Sequence, residues 1–336
     1  MPTNRILLLA AILVVYLALI PLLLAGRPYF LGVLTTASVL AVISAGVWLT
    51  FYIGRINIGQ GAFALIGGYA AAILMTRLGL SFWLALPLAG LVSAAIGVLI
   101  GAAVLRLRGV YFAMLTLSLT ETARLAAQSL DGLTGGARGI TNIPLPGAIS
   151  IFGVTLVPDF ATVNKGVALY ILASIMLVIT FAAMYRIVNS RMGHLFRSLQ
   201  QNEELASSIG VDVARLRIVA FAISSFLGGV GGAFFVAMQQ SVYPATFQIQ
   251  DSVYFMLYCF LGGLGFVFGP IVGTFVLFIG FEFLQGLNEF QPLIYSMLMI
   301  ALMLFLPNGI LSLKLWSRDE PKRPAAPAKA ARRGEA

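Results

Sequence analysis

Long apolar runs, separated by short polar segments, fill most of the chain. Ten of them are predicted membrane spans, and they are the runs 6–25, 29–53, 58–75, 81–105, 109–129, 166–185, 218–240, 252–263, 270–285 and 292–312. The third is short and glycine-rich. The eighth and ninth are separated only by residues 262–268, so they form either a tight hairpin or one long helix broken by glycines. The pattern predicts an all-α polytopic membrane protein of about ten transmembrane helices, some short or broken.

The largest polar segment between two spans, residues 186–217, is basic and amphipathic. Apolar residues recur there in steps of three and four, and the series runs through Leu195, Leu199, Leu205 and Ile209. Gly210 is expected to divide the segment into two helices, with Asp212 capping the second. The segment therefore docks a partner protein or lies as an amphipathic helix on the membrane surface.

Composition supports the membrane assignment and excludes several classes of protein. The chain is 60% hydrophobic and 10% charged, whereas soluble domains carry about 25% charged residues. A single cysteine, Cys259, and a single histidine, His194, exclude a disulfide framework and paired-histidine zinc motifs. We therefore expect no metal and no cofactor. The net charge of +9 lies at the ends of apolar runs, which predicts contact with the lipid bilayer rather than with nucleic acid.

The distribution of basic residues predicts the orientation. With both termini in the cytoplasm, sixteen of the 21 Lys and Arg lie inside, four lie outside and Arg124 lies within the fifth span. The loop 186–217 is then cytoplasmic and the loop 130–165 extracytoplasmic. Residues 1–316 form the predicted transmembrane permease domain. Residues 317–336, rich in Pro, Ala and charge, are expected to be a disordered basic cytoplasmic tail.

Polar residues inside two runs are candidates for a translocation path. Asn57 and Gln60 lie in a glycine-rich stretch at the start of the third run, which fits a broken helix near the path or a close helix contact. Thr116, Thr120 and Glu121 lie in the fifth run. Because Glu121 precedes Arg124 by three residues, the two face each other on a helix, and the same carboxylate is either functional or neutralised by this pair.

A glycine-rich stretch in the outer loop, Thr134, Gly135 and Gly136, allows two interpretations. Its backbone N–H groups form an anion-binding nest, or it is a tight turn. No nucleophile, base and acid cluster accompanies it, so we expect a protein that is not an enzyme.

Five blocks of sequence together resemble one family of transporters. They are INIGQGAFALIGGYAAA (56–72), LRLRGVYFAMLTLSLTE (105–121), TGGARGI (134–140), the segment 196–235, and LGGLGFVFGPIVGT (261–274). In this order they resemble the LivM-type permeases of branched-chain amino acid ABC transporters. The resemblance covers residues 30 to 312 and implies a bacterial inner-membrane importer. Its partners would be a LivH-type second permease, two cytoplasmic ATPase subunits and an extracytoplasmic substrate-binding protein.

The resemblance also implies roles for particular residues. Glu204, Ala206 and Gly210 match the E-x-A-x-x-x-G pattern of the loop that contacts the ATPases, and Leu205 departs from it where many importers have a second Ala. The complete set of implied ATPase-coupling residues is Phe196, Asn202, Glu203, Glu204, Ala206 and Gly210. Thr134, Gly135 and Gly136 are the implied contact with the binding protein.

The substrate is expected to be a small amphipathic molecule because the spans lack a row of like charges. Branched-chain amino acids fit, as do urea or short amides carried by related importers. A stand-alone ion-coupled secondary transporter, with Glu121 in the coupling role, is an alternative of a different class.

Overall fold

A computed structural model describes residues 16, 20–24, 26–107, 109–147, 149–151, 154–157, 165–284, 290, 293, 296–297, 300, 304 and 308–312. The first and last predicted spans, 6–25 and 292–312, lie largely outside this part of the chain, and the predicted tail 317–336 lies wholly outside it.

Helices form nearly all of the described structure. In chain order they are α1 (Ile20–Leu24), α2 (Pro28–Tyr52), α3 (Gln60–Thr76), α4 (Phe82–Val104), α5 (Gly109–Ser129), α6 (Asp131–Thr134), α7 (Lys165–Val188), α8 (Arg191–Gln201), α9 (Glu203–Ser208), α10 (Val213–Gln239), α11 (Ile249–Gly262) and α12 (Gly269–Leu284). The strands are β1 (Ile140–Thr141), β2 (Ile149–Ile151), β3 (Val154–Val157) and β4 (Ser241–Val242), and short 3-10 turns cover Gly136–Arg138, Pro244–Thr246 and Ile310–Ser312.

The predicted all-α membrane architecture is confirmed. Eight of the ten predicted spans coincide with helices, namely α2, α3, α4, α5, α7, α10, α11 and α12. Among the described residues, α2, α4, α7 and α10 are long and apolar enough to cross a bilayer, while α3 and α12 are shorter apolar helices. The loop 130–165, predicted to be extracytoplasmic, contains α6 and three short strands.

The eighth and ninth runs form a tight hairpin rather than one broken helix. Helix α11 ends at Gly262, and α12 starts at Gly269 and packs back along it. A side chain on Gly273 would collide with the carbonyl of Tyr258. The lack of a Cβ therefore permits the close approach of the two backbones.

Helix α10 lies at the centre of the molecule, against α2, α3 and α4. Gly67 of α3 meets Gly229 of α10 backbone to backbone. In a bilayer, helices associate by close packing rather than by burial from water, so small residues at the crossing hold these helices together.

Between α2 and α3 the chain passes into the protein interior without forming a helix. Residues 53–59 bury every second residue, as an extended chain does. Gln60, which begins α3, donates a hydrogen bond to the carbonyl of Ile43 at 3.2 Å. Ile43 lies nine residues before the end of α2, ~13 Å back along the helix at 1.5 Å per residue. The chain is therefore non-helical up to Gln60 and is enclosed by protein there, as irregular backbone at membrane depth requires.

Contacts between distant segments assign helix ends to the two sides of the molecule. At one end, β1 pairs with β4, with Ile140 opposite Val242, and Lys165 Nζ donates to Gln240 Oε1 at 2.9 Å. Arg55 and Arg217 meet Glu203 at the other end. Arg55 and Arg217, two of the basic residues predicted to lie on the cytoplasmic side, therefore lie at the same end of the molecule.

Candidate functional site

The polar segment between α7 and α10 folds into two short helices, α8 and α9, called here the two-helix element (residues 189–212). Helix α7 continues to Val188 and α10 already begins at Val213, so the predicted loop 186–217 is shorter at both ends. The side-chain oxygen of Asn202 accepts hydrogen bonds from the N–H groups of Glu204 and Leu205, each at 3.0 Å. This cap starts α9 and adds a break that the sequence pattern did not indicate.

The inner face of the two-helix element packs on the membrane body. Phe196, Leu199 and Ala206 are buried there. Glu203 is placed between two arginines, Arg55 just after α2 and Arg217 in α10.

These arginines connect the element to several helices. The Arg55 guanidinium lies 3.3 Å from Glu203 Oε1, and Arg217 also donates to the carbonyl of Leu105, just after α4, at 3.3 Å. Both arginines are at most 10% exposed and Glu203 is 19% exposed. Charges buried to this degree require pairing, so the Arg55–Glu203–Arg217 cluster fastens the element to α2, α4 and α10.

The outer face of the element carries side chains that point away from the body. Leu205 is 63% exposed and Ile209 is 73% exposed. They are four residues apart and Glu204 is exposed beside them. Met192 and Leu195 on α8 are each 36% exposed. An exposed apolar patch on a charged element is typical of a protein contact surface.

The alanine and glycine of the E-x-A-x-x-x-G pattern end α9. The N–H of Val211 bonds the carbonyl of Ala206 at 3.2 Å, and the N–H of Gly210 bonds that of Ser207 at 3.0 Å. Gly210 has φ +86°, the left-handed geometry that glycine adopts at a Schellman stop. The predicted break at Gly210 and the predicted cap by Asp212, which accepts the N–H of Arg215 at 3.0 Å, are both present.

The six predicted coupling residues divide between the two faces. Phe196, Glu203 and Ala206 contact the chain's own body. Asn202, Glu204 and Gly210 lie on the exposed side. The arginines were missed as site residues because Arg55 precedes Glu203 by 148 residues, and no local pattern joins them.

Four of the five predicted path residues form a buried polar cluster around the start of α3. Asn57 Nδ2 donates to Gln60 Oε1 at 3.2 Å, and Gln60 Nε2 donates to the carbonyl of Ser224 at 2.9 Å. Thr116 Oγ1 accepts the N–H of Ile58 at 3.1 Å. The Thr116 bond satisfies a backbone N–H of the non-helical segment, and the Gln60 bond joins the start of α3 to α10.

Serines from two later helices complete this cluster. The hydroxyl of Ser224 lies 3.1 Å from Gln60 Oε1. Ser252 Oγ accepts the N–H of Gly61 at 2.9 Å and lies 3.0 Å from Thr120 Oγ1. Asn57, Gln60, Thr116 and Thr120 are all fully buried. In this conformation they join helices and do not line an open path.

Glu121 belongs to a separate site. Its carboxylate accepts the Nε–H of Arg124 at 3.0 Å, so the predicted pair on one helix face is present. The pair borders an open cavity of about 220 Å³, completed by Ala245, Gln248, Ile249 and Gln250.

The glycine-rich stretch of the outer loop is a tight turn. The hydroxyl of Thr134 donates toward the carbonyls of Ala127 and Leu130 and accepts the N–H of Gly136 at 3.3 Å. The N–H of Gly135 bonds the carbonyl of Asp131 at 3.0 Å. Because the N–H groups of Gly135 and Gly136 are bonded inside the turn, they do not form an anion-binding nest. Thr134 and Gly136 are also buried.

Comparison with known proteins identifies the family. The model of the family described as "Branched-chain amino acid transport system / permease component" matches residues 29–307. The chain is 33% identical over 275 residues to the high-affinity branched-chain amino acid transport system permease protein LivM of Salmonella typhimurium (strain LT2), and 32% identical to that of Escherichia coli (strain K12). In each case the match covers 77% of this chain and 64% of the relative.

A more distant relative is the probable permease LivH of Methanocaldococcus jannaschii, 25% identical over 83% of this chain and 90% of that protein. The chain spans less than two thirds of the length of the two LivM relatives. No solved structure matches it. The family model covers most of the chain, including the two-helix element and both polar sites. The chain therefore belongs to the permease components of branched-chain amino acid transport systems.

Proposed function

We propose that this protein is the membrane-spanning permease subunit of a binding-protein-dependent ABC importer for branched-chain amino acids. It works in the bacterial inner membrane with both termini in the cytoplasm. Its partners are a LivH-type permease, two cytoplasmic ATPase subunits that hydrolyse the ATP, and an extracytoplasmic substrate-binding protein. The chain itself is not an enzyme.

The observation that carries this proposal is the two-faced architecture of the two-helix element. Its inner face is fastened to the membrane body through the Arg55–Glu203–Arg217 cluster. Its outer face presents Glu204, Leu205 and Ile209. The inner face of this short helix is fixed to the membrane body and its outer face is apolar. This arrangement fits an element that binds another protein and transmits its movement.

The cluster also supports a route for coupling. A push of the ATPases on α9 reaches Arg55 after α2 and Arg217 in α10 through Glu203. Helix α10 is packed against α2, α3 and α4, so its displacement moves the centre of the permease. ATP can drive alternating access only if the outer-face contacts differ in free energy between inward-open and outward-open states.

Two further parts of the molecule receive roles in this proposal. Substrate passes along a path that opens next to the buried cluster of Asn57, Gln60, Thr116 and Thr120 when the helices separate. The turn of Thr134, Gly135 and Gly136 shapes the surface that the binding protein contacts. Because Thr134 and Gly136 are buried, the direct contact falls to exposed neighbours such as Arg138.

Purification of the tagged chain from native membranes in mild detergent, followed by mass spectrometry and reconstitution, tests the proposal. We expect two ATPase subunits and a second permease to accompany the chain, and ATP-dependent leucine uptake once the binding protein is added. A chain that purifies alone and transports without ATP would establish the ion-coupled secondary transporter instead. Uptake of urea or short amides, but not of leucine, would show that the importer carries the alternative substrates, urea or short amides, instead of branched-chain amino acids.

A further inference from the structure

The Glu121–Arg124 pair on α5 is an unusual feature for a membrane helix. Arg124 is 29% exposed and Glu121 is 36% exposed. By length, Arg124 lies ~7.5 Å and Glu121 ~12 Å from the end of the helix at Ser129. Charged side chains at such depth are found facing a cavity, a partner or a substrate rather than lipid.

The cavity beside the pair has two chemically different walls. One wall carries a positive and a negative group, from Arg124 and Glu121. The rest of the lining comes from the segment entering α11, where Gln248 and Gln250 supply amides and Ala245 and Ile249 supply apolar surface. Its volume of about 220 Å³ is below the roughly 300–1,000 Å³ of pockets for drug-sized ligands, so it suits a smaller molecule.

We propose that this cavity binds the charged end of a zwitterionic amino acid on its way from the binding protein into the permease. The substrate carboxylate binds the Arg124 guanidinium, which has N–H donors beyond those engaged with Glu121 and Gln128. The substrate ammonium binds the carboxylate of Glu121, and the side chain lies against Ala245 and Ile249. This inference rests on the proposed function and names the part of the substrate that the permease recognises.

Charge balance explains why the substrate would be a zwitterion. Without substrate, Glu121 and Arg124 neutralise each other. A zwitterion replaces that single contact with two and leaves no net charge in the cavity, whereas a carboxylate without an amine leaves Glu121 facing an anion. Urea has no separated charges to exchange with the pair.

The double variant Glu121→Gln with Arg124→Gln separates recognition from a structural ion pair. Both charges are removed together, so no buried charge is left unpaired and the complex should still assemble. We expect leucine uptake by the reconstituted complex, with the same binding protein in every sample, to fall by about ten-fold or more as charge-assisted hydrogen bonds are lost. Lys165→Gln, which removes an exposed charge away from the cavity, is the control and should import leucine at the wild-type rate.

The outcomes separate this inference from the proposed function. An assembled double variant that imports leucine normally overturns the zwitterion site and leaves the importer intact. A wild-type complex that imports no amino acid overturns the proposed function itself. If the double variant does not assemble, Arg124→Lys replaces it, because lysine keeps the charge but loses the planar fork. That variant should raise the half-saturating leucine concentration several-fold, and an unchanged value overturns the inference.

Discussion

The two faces of the two-helix element differ in whether their side chains contact the rest of this chain. The inner face, with Phe196, Glu203 and Ala206, is explained by contacts within this chain. The outer face, with Leu205 and Ile209, exposes apolar side chains on the same few turns. The E-x-A-x-x-x-G motif therefore has two roles. Ala206 and Gly210 form and end the helix, and Glu204 lies on the side that is open to a partner.

The adjacent carboxylates Glu203 and Glu204 give the sharpest test of this comparison. Glu203→Gln leaves Arg55 and Arg217 without their carboxylate, and breaking a buried pair in this way costs about 3–5 kcal/mol. We expect a large drop in the thermal unfolding midpoint of the purified complex. Glu204→Gln, on the exposed face, should change the unfolding free energy by less than about 0.5 kcal/mol. Equal effects of the two variants would break the distinction between the faces.

Ala206→Trp tests the inner face by volume instead of charge. Ala206 is 2% exposed, and overpacking a filled site costs about 1–3 kcal/mol. We therefore expect reduced thermal stability even in the permease without its ATPases. Loss of uptake alone would not separate a distorted two-helix element from a blocked docking surface, so the stability of the variant is measured as well. A variant as stable as the wild type would place Ala206 outside the packed interior.

Gly210→Ala isolates the backbone geometry of the stop signal. Gly210 has φ +86° and no atom within 4 Å of an added Cβ, so strain alone acts, at a cost of about 1 kcal/mol. Gly32 in α2 is the control, because it also has open space but lies within a helix. Gly32→Ala should be neutral or stabilising. Chemical or thermal denaturation that does not separate the two variants would contradict the assigned turn.

Leu205→Ser with Ile209→Ser should change the stability of the permease least. Both side chains are more than half exposed, so we expect each change to alter the unfolding free energy by less than about 0.5 kcal/mol. Co-purification of the ATPases should nevertheless be lost, because their apolar contact is removed. A full yield of ATPases with this double variant would place the docking surface elsewhere.

The sequence predicted the features that depend on residues close together in the chain, namely helix positions, a helix break and a helix cap. Apolar runs located eight helices within a few residues, and the Gly210 break and Asp212 cap followed from local preferences. The start of α10 was missed because Arg215 and Arg217 interrupt the apolar run, although the helix continues past the membrane edge. Hydropathy reports the solvent around a helix and not its ends.

The candidate site was predicted in part, because its most important contacts join distant segments. Glu203 was selected because it lies in the loop to which the family resemblance assigns the coupling role, but its partners Arg55 and Arg217 approach it only after folding. The separation of Glu121 from the buried threonines of α5 follows from helix rotation. Thr116 and Thr120 are four apart on the buried side, while Glu121 is turned toward the cavity.

The fully buried start of α3 has a consequence for how the protein is made. Gln60 donates to the carbonyl of Ser224, which is synthesised 164 residues later. At ~5–20 residues per second, this acceptor appears on the order of 10–30 s after Gln60 itself, whereas the other acceptor of the same amide, the carbonyl of Ile43, is made before it. A nascent chain stopped between these two residues holds the Gln60 amide through Ile43 alone and lacks the part of α10 from Ser224 onward. The polar contacts at the start of α3 are therefore complete only after α10 has been made, which places them among the late contacts to form as the subunit folds.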